Sequence, residues 1–341
     1  MRRLITWVII LALVAFLCGV LPRLLPSVLQ PISVAPEPVF TVLGFPVTNS
    51  LLATLLADVV LIALFFVGTR NLKMVPEGLQ NLLEALLEVL NNLMEQVAGA
   101  KARRIFPLAA TIFLLVLVAN WLELIPGIDN IGKVEVPHSP TIQGYEIATW
   151  GPFAYLTETK VEHKSEEAIH KAEALPLKER CHELGCIVVP YLRVPSTDLN
   201  FTLALGVISV VMTWYYGIRT LGRDYLARFF NIRGFKKSPI FGSIDFAVGF
   251  LELLSEFTRI ISFTFRLFGN IFAGSVLIFV FSWLVPAIAP VIVYLLEIFV
   301  GAIQAFVFMM LTVVFIHLAT ISHGGEAHEG THAPAAHGET A

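Results

Sequence analysis

Between residues 244 and 275 the chain carries Asp245, Glu252, Glu256, Arg259, Ser262, Arg266 and Asn270 in otherwise apolar sequence. Successive members stand three, four or seven residues apart, the spacing that places side chains on one face of a helix. A charge at the centre of a membrane helix costs about 2.5–3.5 kcal/mol on insertion scales, and more by other measures. Such a stripe cannot face lipid. It must line water or meet a protein surface of opposite charge. Pairing at the membrane edge is a sufficient reading for Asp245 and Glu252, but a poor one for Arg266, which lies deep in the run. Arginine holds its charge at any working pH, so Arg266 is a fixed positive charge, useful as an electrostatic gate and useless as a proton carrier. The next apolar segment, 287–320, places Glu297 and Gln304 seven residues apart on one face. Two antiparallel helices with polar stripes suggest a hairpin framing a hydrated ion path, because ionisable chains through a membrane mark ion or proton relays.

The elements that position these residues follow from composition. Of 341 residues, 56% are apolar and 14% charged, with net charge −3 and mean hydropathy +0.77. A soluble domain carries roughly 25% charged residues, so this chain cannot cover its own surface in water. A cytosolic enzyme, a disordered chain and a disulfide-rich secreted scaffold are excluded, and the charge argues against nucleic acid as a partner. Apolar runs at 4–22, 47–68, 105–122, 199–218 and two between 244 and 320 give six spans, since about 20 helical residues cross the hydrocarbon layer. The first run reads as a retained anchor or as a secretory signal. Connections 69–104 and 219–243 are basic, whereas 127–195 is net acidic. With the basic connections inside, the acidic one is outside and both termini are cytoplasmic.

Residues 75–99 repeat Leu79, Leu82, Leu83, Leu86, Leu87, Leu90, Leu93, Met94 and Val97 on one face, with Glu84, Glu88, Asn92 and Glu95 opposite. That pattern predicts an amphipathic helix on the membrane surface or on a partner; its acidic face disfavours anionic lipid and favours a protein neighbour. The segment 127–195 is too long for a simple connection and reads as an extramembrane insertion, with a solvated helix over 157–183. Cys181 and Cys186 fit a local disulfide, two free thiols or a metal site with nearby histidines. Residues 321–341 form a His-rich, solvated tail. The domains expected are thus 1–46, 47–126, 127–195, 196–320 and 321–341. No phosphate loop or nucleophile motif appears, so no nucleotide or cofactor is expected.

The run from Ser262 through Arg266-Leu-Phe-Gly-Asn270 to Gly274, followed by Ile303-Gln304-Ala-Phe-Val-Phe-Met309, resembles subunit a of the F-type ATP synthase membrane sector. Further stretches match in order: Phe45 to Ser50, Asn120-Trp-Leu-Glu123-Leu-Ile-Pro126, and Pro195-Ser-Thr-Asp198-Leu-Asn200. The resemblance covers about residues 40–127 and 195–320. It implies an all-α, multi-pass, non-catalytic stator subunit in a bacterial cell membrane, its last two helices packing on a ring of c subunits, with b-type peripheral stalk subunits and lipid as further neighbours. Arg266 would face the ring carboxylates and keep two half-channels apart, with Ser262, Asn270 and Gln304 beside it. Glu252 would line the cytoplasmic half-channel, and Glu297 the outer one, with Asn120 and Glu123 near its mouth.

Some family members carry a carboxylate where this chain has Ser275 and a histidine where it has Glu297. The resemblance then routes the relay through Glu297, with Ser275 hydrogen-bonding it. The competing reading is a stand-alone secondary transporter using Arg266 to bind an anion. Such transporters often carry internal repeats, and this sequence shows none.

Overall fold

The computed structural model describes residues 35–125, 128, 131–136, 144–150, 153–160, 179, 181, 185–222, 225, 229, 239–284 and 289–321. The first apolar run, most of the helix read over 157–183 and the tail beyond 321 lie outside them. Among the described residues, six helices have 20 residues or more: α1 (Asn49–Thr69), α2 (Leu79–Ala98), α3 (Ala102–Trp121), α4 (Leu199–Leu221), α5 (Pro239–Leu284) and α6 (Ala289–Ala319). Five helical segments there are long and apolar enough to cross a membrane, with α2 and α3 counted as one. The chain is therefore a mostly helical, multi-pass membrane protein.

Local chemistry sets where these helices begin and end. The Thr48 hydroxyl accepts from Leu51 N at the start of α1, and the Asp198 carboxylate accepts from Asn200 N at the start of α4. Both satisfy backbone donors that a helix leaves open at its first turn. Helix α4 stops at Gly222, whose φ of 59° suits glycine in the left-handed conformation.

The amphipathic helix starts at Leu79, four residues later than its sequence pattern began. Leu83, Leu90, Met94 and Ala98 are buried, and Glu84, Glu88, Asn92 and Glu95 are exposed. Its neighbour is this chain itself: Leu90, Met94 and Ala98 join one core with α3 and α6. A tight turn at Gly99–Lys101 links α2 to α3, and from it Lys101 Nζ donates to Thr320 O (2.9 Å) and Oγ1 (3.0 Å) at the end of α6.

The core runs through the middle of the helices. Phe263, Leu267 and Ile271 on α5 form a buried ladder at four-residue spacing, in one core with Phe308, Met309, Val313 and Ile316 of α6, which in turn packs on α3 with its Ile105, Ala109, Ile112 and Val116. Phe263 lies 4.8 Å, centroid to centroid, from Phe308. With 46 residues, α5 is about 69 Å long at 1.5 Å per residue. That is more than twice the roughly 30 Å hydrocarbon layer, so α5 either tilts strongly or extends well beyond it.

The strands form three two-stranded antiparallel ribbons. A hairpin of β1 (Pro38–Val42) and β2 (Phe45–Thr48) leads directly into α1. Strands β3 (Gly132–Glu135) and β6 (Ile187–Pro190) pair across the base of the insertion, while β4 (Tyr145–Trp150) and β5 (Phe153–Lys160) form a hairpin inside it. Residues 157–160, the start of the helix read over 157–183, are strand: Leu156 pairs with Ile147 and Lys160 with Tyr145. The Glu- and Lys-rich pattern had signalled solvation, and cross-strand pairing satisfies the backbone equally well. Cys181 and Cys186 are joined in a disulfide, which decides among the three readings of that pair.

Close approach of α4 to α5 depends on Gly206, where an added Cβ would stand 3.0 Å from Thr264 Oγ1 and 3.2 Å from Ile260 O. Small residues at such crossings let membrane helices pack. Gly206→Leu should overpack this crossing and destabilise the fold by about 1–3 kcal/mol, read as a lower midpoint for thermal aggregation in detergent.

Candidate functional site

The polar stripe on α5 is offset by one residue from the buried ladder. Phe263 and Leu267 point inward, whereas Ser262 and Asn270 are exposed and Arg266 is half-buried. Arg266 Nη2 donates to Ser262 Oγ at 3.3 Å. Among the described residues this is its one hydrogen bond, and no carboxylate of them neutralises it. One turn on, Asn270 Nδ2 donates to Gln304 Oε1 of α6 at 2.7 Å. The Gln304 Nε2 is buried and lacks a partner among the described residues.

Toward the end of α5 that meets the starts of α4 and α6, a buried polar cluster begins about two turns past Arg266. The Ser275 hydroxyl donates to Glu123, which is buried at the end of α3. The reading from resemblance had assigned Ser275 to Glu297; the structure gives it to Glu123, because the turn after α3 brings that carboxylate against α5. Glu297, 5% exposed on α6, lies against the neighbouring residue of α5, Gly274. A Cβ at Gly274 would stand only 2.0 Å from Glu297 Oε1. Two carboxylates thus converge on adjacent residues of α5.

A hydrogen-bonded frame holds this cluster. Asn120 Nδ2 donates to Gly301 O of α6 at 3.1 Å, and its Oδ1 accepts from Ser196 Oγ at 2.5 Å. Trp121 Nε1 donates to Ile298 O at 3.2 Å. Two residues past Ser196, the Asp198 Oδ2 accepts from Ser50 Oγ in the first turn of α1 at 2.5 Å. Ser50, Ser196, Asp198, Gly274 and Gly301 were not singled out as site residues from the sequence. Ser50, Ser196, Asp198 and Gly274 stood in the family-like motifs, but a contact such as Ser50 to Asp198, between residues 148 positions apart, leaves no spacing signal.

At the other end of α5, Glu256 is buried and its Oε2 accepts from Arg259 Nη1 at 2.8 Å. The Arg259 guanidinium lies 3.9 Å from the Phe315 ring centroid, a cation–π contact that strengthens as water is excluded. This pair removes both charges from the list of groups awaiting another chain. Glu252 is half-buried one turn earlier. An open groove of about 360 Å³, lined among others by Ser255, Thr258, Arg259, Ser262 and Arg266, runs along α5 toward the fixed charge. From Glu252 to Ser275 the lane spans roughly 35 Å of helix, with Arg266 between its two polar ends.

A multi-pass helical body with a polar lane, in which Arg259 is paired with Glu256 and Arg266 has no carboxylate partner among the described residues, defines a membrane subunit rather than a soluble catalyst. A family model described as ATP synthase A chain matches residues 51–317. The chain is 32% identical over 276 residues to ATP synthase subunit a of Gloeobacter violaceus, covering 81% of this chain and 85% of that one. To the subunit a of Moorella thermoacetica it is 26% identical over 292 residues, covering 85% and 98%. The chain belongs to the subunit a family of F-type ATP synthases, whose members are proton-channel components of that complex.

The Gly274 contact yields a test that leaves the core untouched. A methyl group there meets the tip of a movable side chain, so Gly274→Ala should fold normally but displace the Glu297 carboxylate. Passive proton flux through the membrane sector in vesicles is expected to fall several-fold; unchanged flux would show that the position of Glu297 does not matter.

Proposed function

We propose that the chain is the static half of a rotary motor, providing two offset half-channels that load and unload protons on the carboxylates of a c-subunit ring. The observation that carries this reading is Arg266, a permanent charge on a membrane helix, at the rim of the core, with only Ser262 as a hydrogen-bond partner among the described residues. Lipid cannot take that position. A passing carboxylate from another chain can. The guanidinium attracts a carboxylate that has lost its proton and repels cations trying to cross between the half-channels.

Glu297, Glu123, Asn120 and Ser275 form the outer half-channel, since they converge at the end of the helices from which the insertion departs. Glu252 and the groove ending at Ser262 and Arg266 form the cytoplasmic one. Asn270 and Gln304 separate the two beside the arginine. The insertion faces outward, and its disulfide supports that side, because such bonds persist in oxidising compartments. The location proposed is a bacterial cell membrane, with the C-terminus cytoplasmic and b-type stalk subunits holding the chain still. The chain itself performs no bond chemistry.

Two variants test the roles separately. Arg266→Ala should assemble yet abolish ATP-driven acidification of inverted vesicles, with assembly read on a native gel. Arg266→Lys should fail as well, because a desolvated ammonium can lose its proton and lacks the planar, spread charge. Normal acidification by the alanine variant would make Arg266 a merely structural charge and overturn the reading.

Glu297→Gln keeps the shape of the side chain and removes its proton. Passive proton conduction in vesicles carrying this variant should drop sharply while the complex still assembles. Unchanged conduction would remove Glu297 from the relay and leave the outer path to Glu123.

A further inference from the structure

The ribbon β1–β2 is not used by the proton path, and its residue choice conflicts with folding in water. Its register pairs Phe40 with Val47 and Val42 with Phe45, so these four side chains share one face, while Thr41 and Pro46 share the other. The turn is Leu43-Gly44, with φ of 50° and 83°. Positive φ at both central positions is the hairpin turn that favours Asn, Asp or Gly at its first residue. Leu43 is the one non-glycine residue with positive φ among the described residues. It is also fully exposed, and Phe45 is 63% exposed, with Phe40 and Val42 near half. A strained leucine at a hairpin tip, fully exposed and covered by none of the described residues, calls for an apolar medium around it.

The geometry points to this ribbon as an interfacial membrane anchor, its Phe40, Val42, Leu43 and Phe45 face seated in the boundary between lipid headgroups and acyl chains. Position argues for lipid over a protein partner. Strand β2 ends at Thr48, which caps the membrane helix α1, with no residue between them. Asn49 N donates to Glu37 O and Asn49 Oδ1 accepts from Glu37 N, tying the base of the ribbon to that helix. At about 3.3 Å per residue, Leu43 lies within roughly 20 Å of the point where α1 begins. From Pro38 to Ala57 there is no charged side chain, so the ribbon continues the uncharged surface of α1, where Leu51, Leu55, Val59 and Ile62 are exposed. Amphipathic segments bury an apolar face about 5–10 Å into this boundary, and the face of this ribbon matches that demand.

The test uses the assembled synthase in lipid vesicles, with Cys18→Ser and a single introduced thiol, Leu43→Cys or Thr41→Cys, carrying an environment-sensitive NBD fluorophore. At position 43 the emission should be blue-shifted, quenched by nitroxides on lipid chains and insensitive to aqueous iodide. At position 41, on the opposite face, iodide should quench several-fold more strongly than at position 43. Iodide quenching at position 43 would place the tip in water and overturn the inference. Protection from both quenchers would place it against protein and overturn the inference equally.

Discussion

A guanidinium that cannot be discharged, held on a helix built for lipid, is the constraint around which this structure is arranged. Any other ionisable side chain could lower its cost by changing protonation state; Arg266 cannot. The fold answers by placing it beside the core rather than in it: the ladder Phe263, Leu267 and Ile271 packs inward, with Phe263 against Phe308 and Phe315 of α6, and the stripe Ser262, Arg266 and Asn270 is turned onto the rim. The second arginine of the same helix shows the contrast. Arg259 has Glu256 at 2.8 Å and the Phe315 ring beneath it, so its charge is balanced inside the chain. One cation is paired within the chain, and the other has only a serine hydroxyl among the described residues.

Much of this was legible in the sequence because membranes simplify the code. Apolar runs of span length must be helices, and the charged stripe on α5 stood out because no other residue between Asp245 and Asn270 carries a charge. The amphipathic helix was legible for the same reason, although periodicity could not say that its neighbour would be α3 and α6 of the same chain. Contacts between distant segments were not legible. Ser50 to Asp198 and Ser275 to Glu123 join residues 148 and 152 positions apart, and no spacing rule reaches that far. The strand at 153–160 was hidden for another reason: in a solvated insertion, polar composition is compatible with helix or ribbon, and pairing with β4 decides.

The polar cluster beyond Arg266 shows how such a lane survives among packed helices. Two glycines make room for it. Gly274 gives the Glu297 carboxylate a place against α5, and at Gly301 an added Cβ would stand 3.2 Å from the Asn120 Cβ, so the amide reaches the Gly301 carbonyl directly. A buried carboxylate without compensating dipoles is costly; here Ser275 supplies a hydroxyl to Glu123, and Asn120 and Ser196 fix the frame around the pair. The number of donors around a buried carboxyl group sets which of its protonation states is favoured. Too many donors would lock it ionised, and too few would lock it neutral. One acid stands at the end of α3 and the other on α6; Asn120 and Trp121 tie those two helices together, and the Ser275 hydroxyl joins α5 to the first of them. Both acids lie about two turns of α5 away from Arg266, so the hydrogen bonds that hold them are separate from the single Ser262 contact that holds the guanidinium.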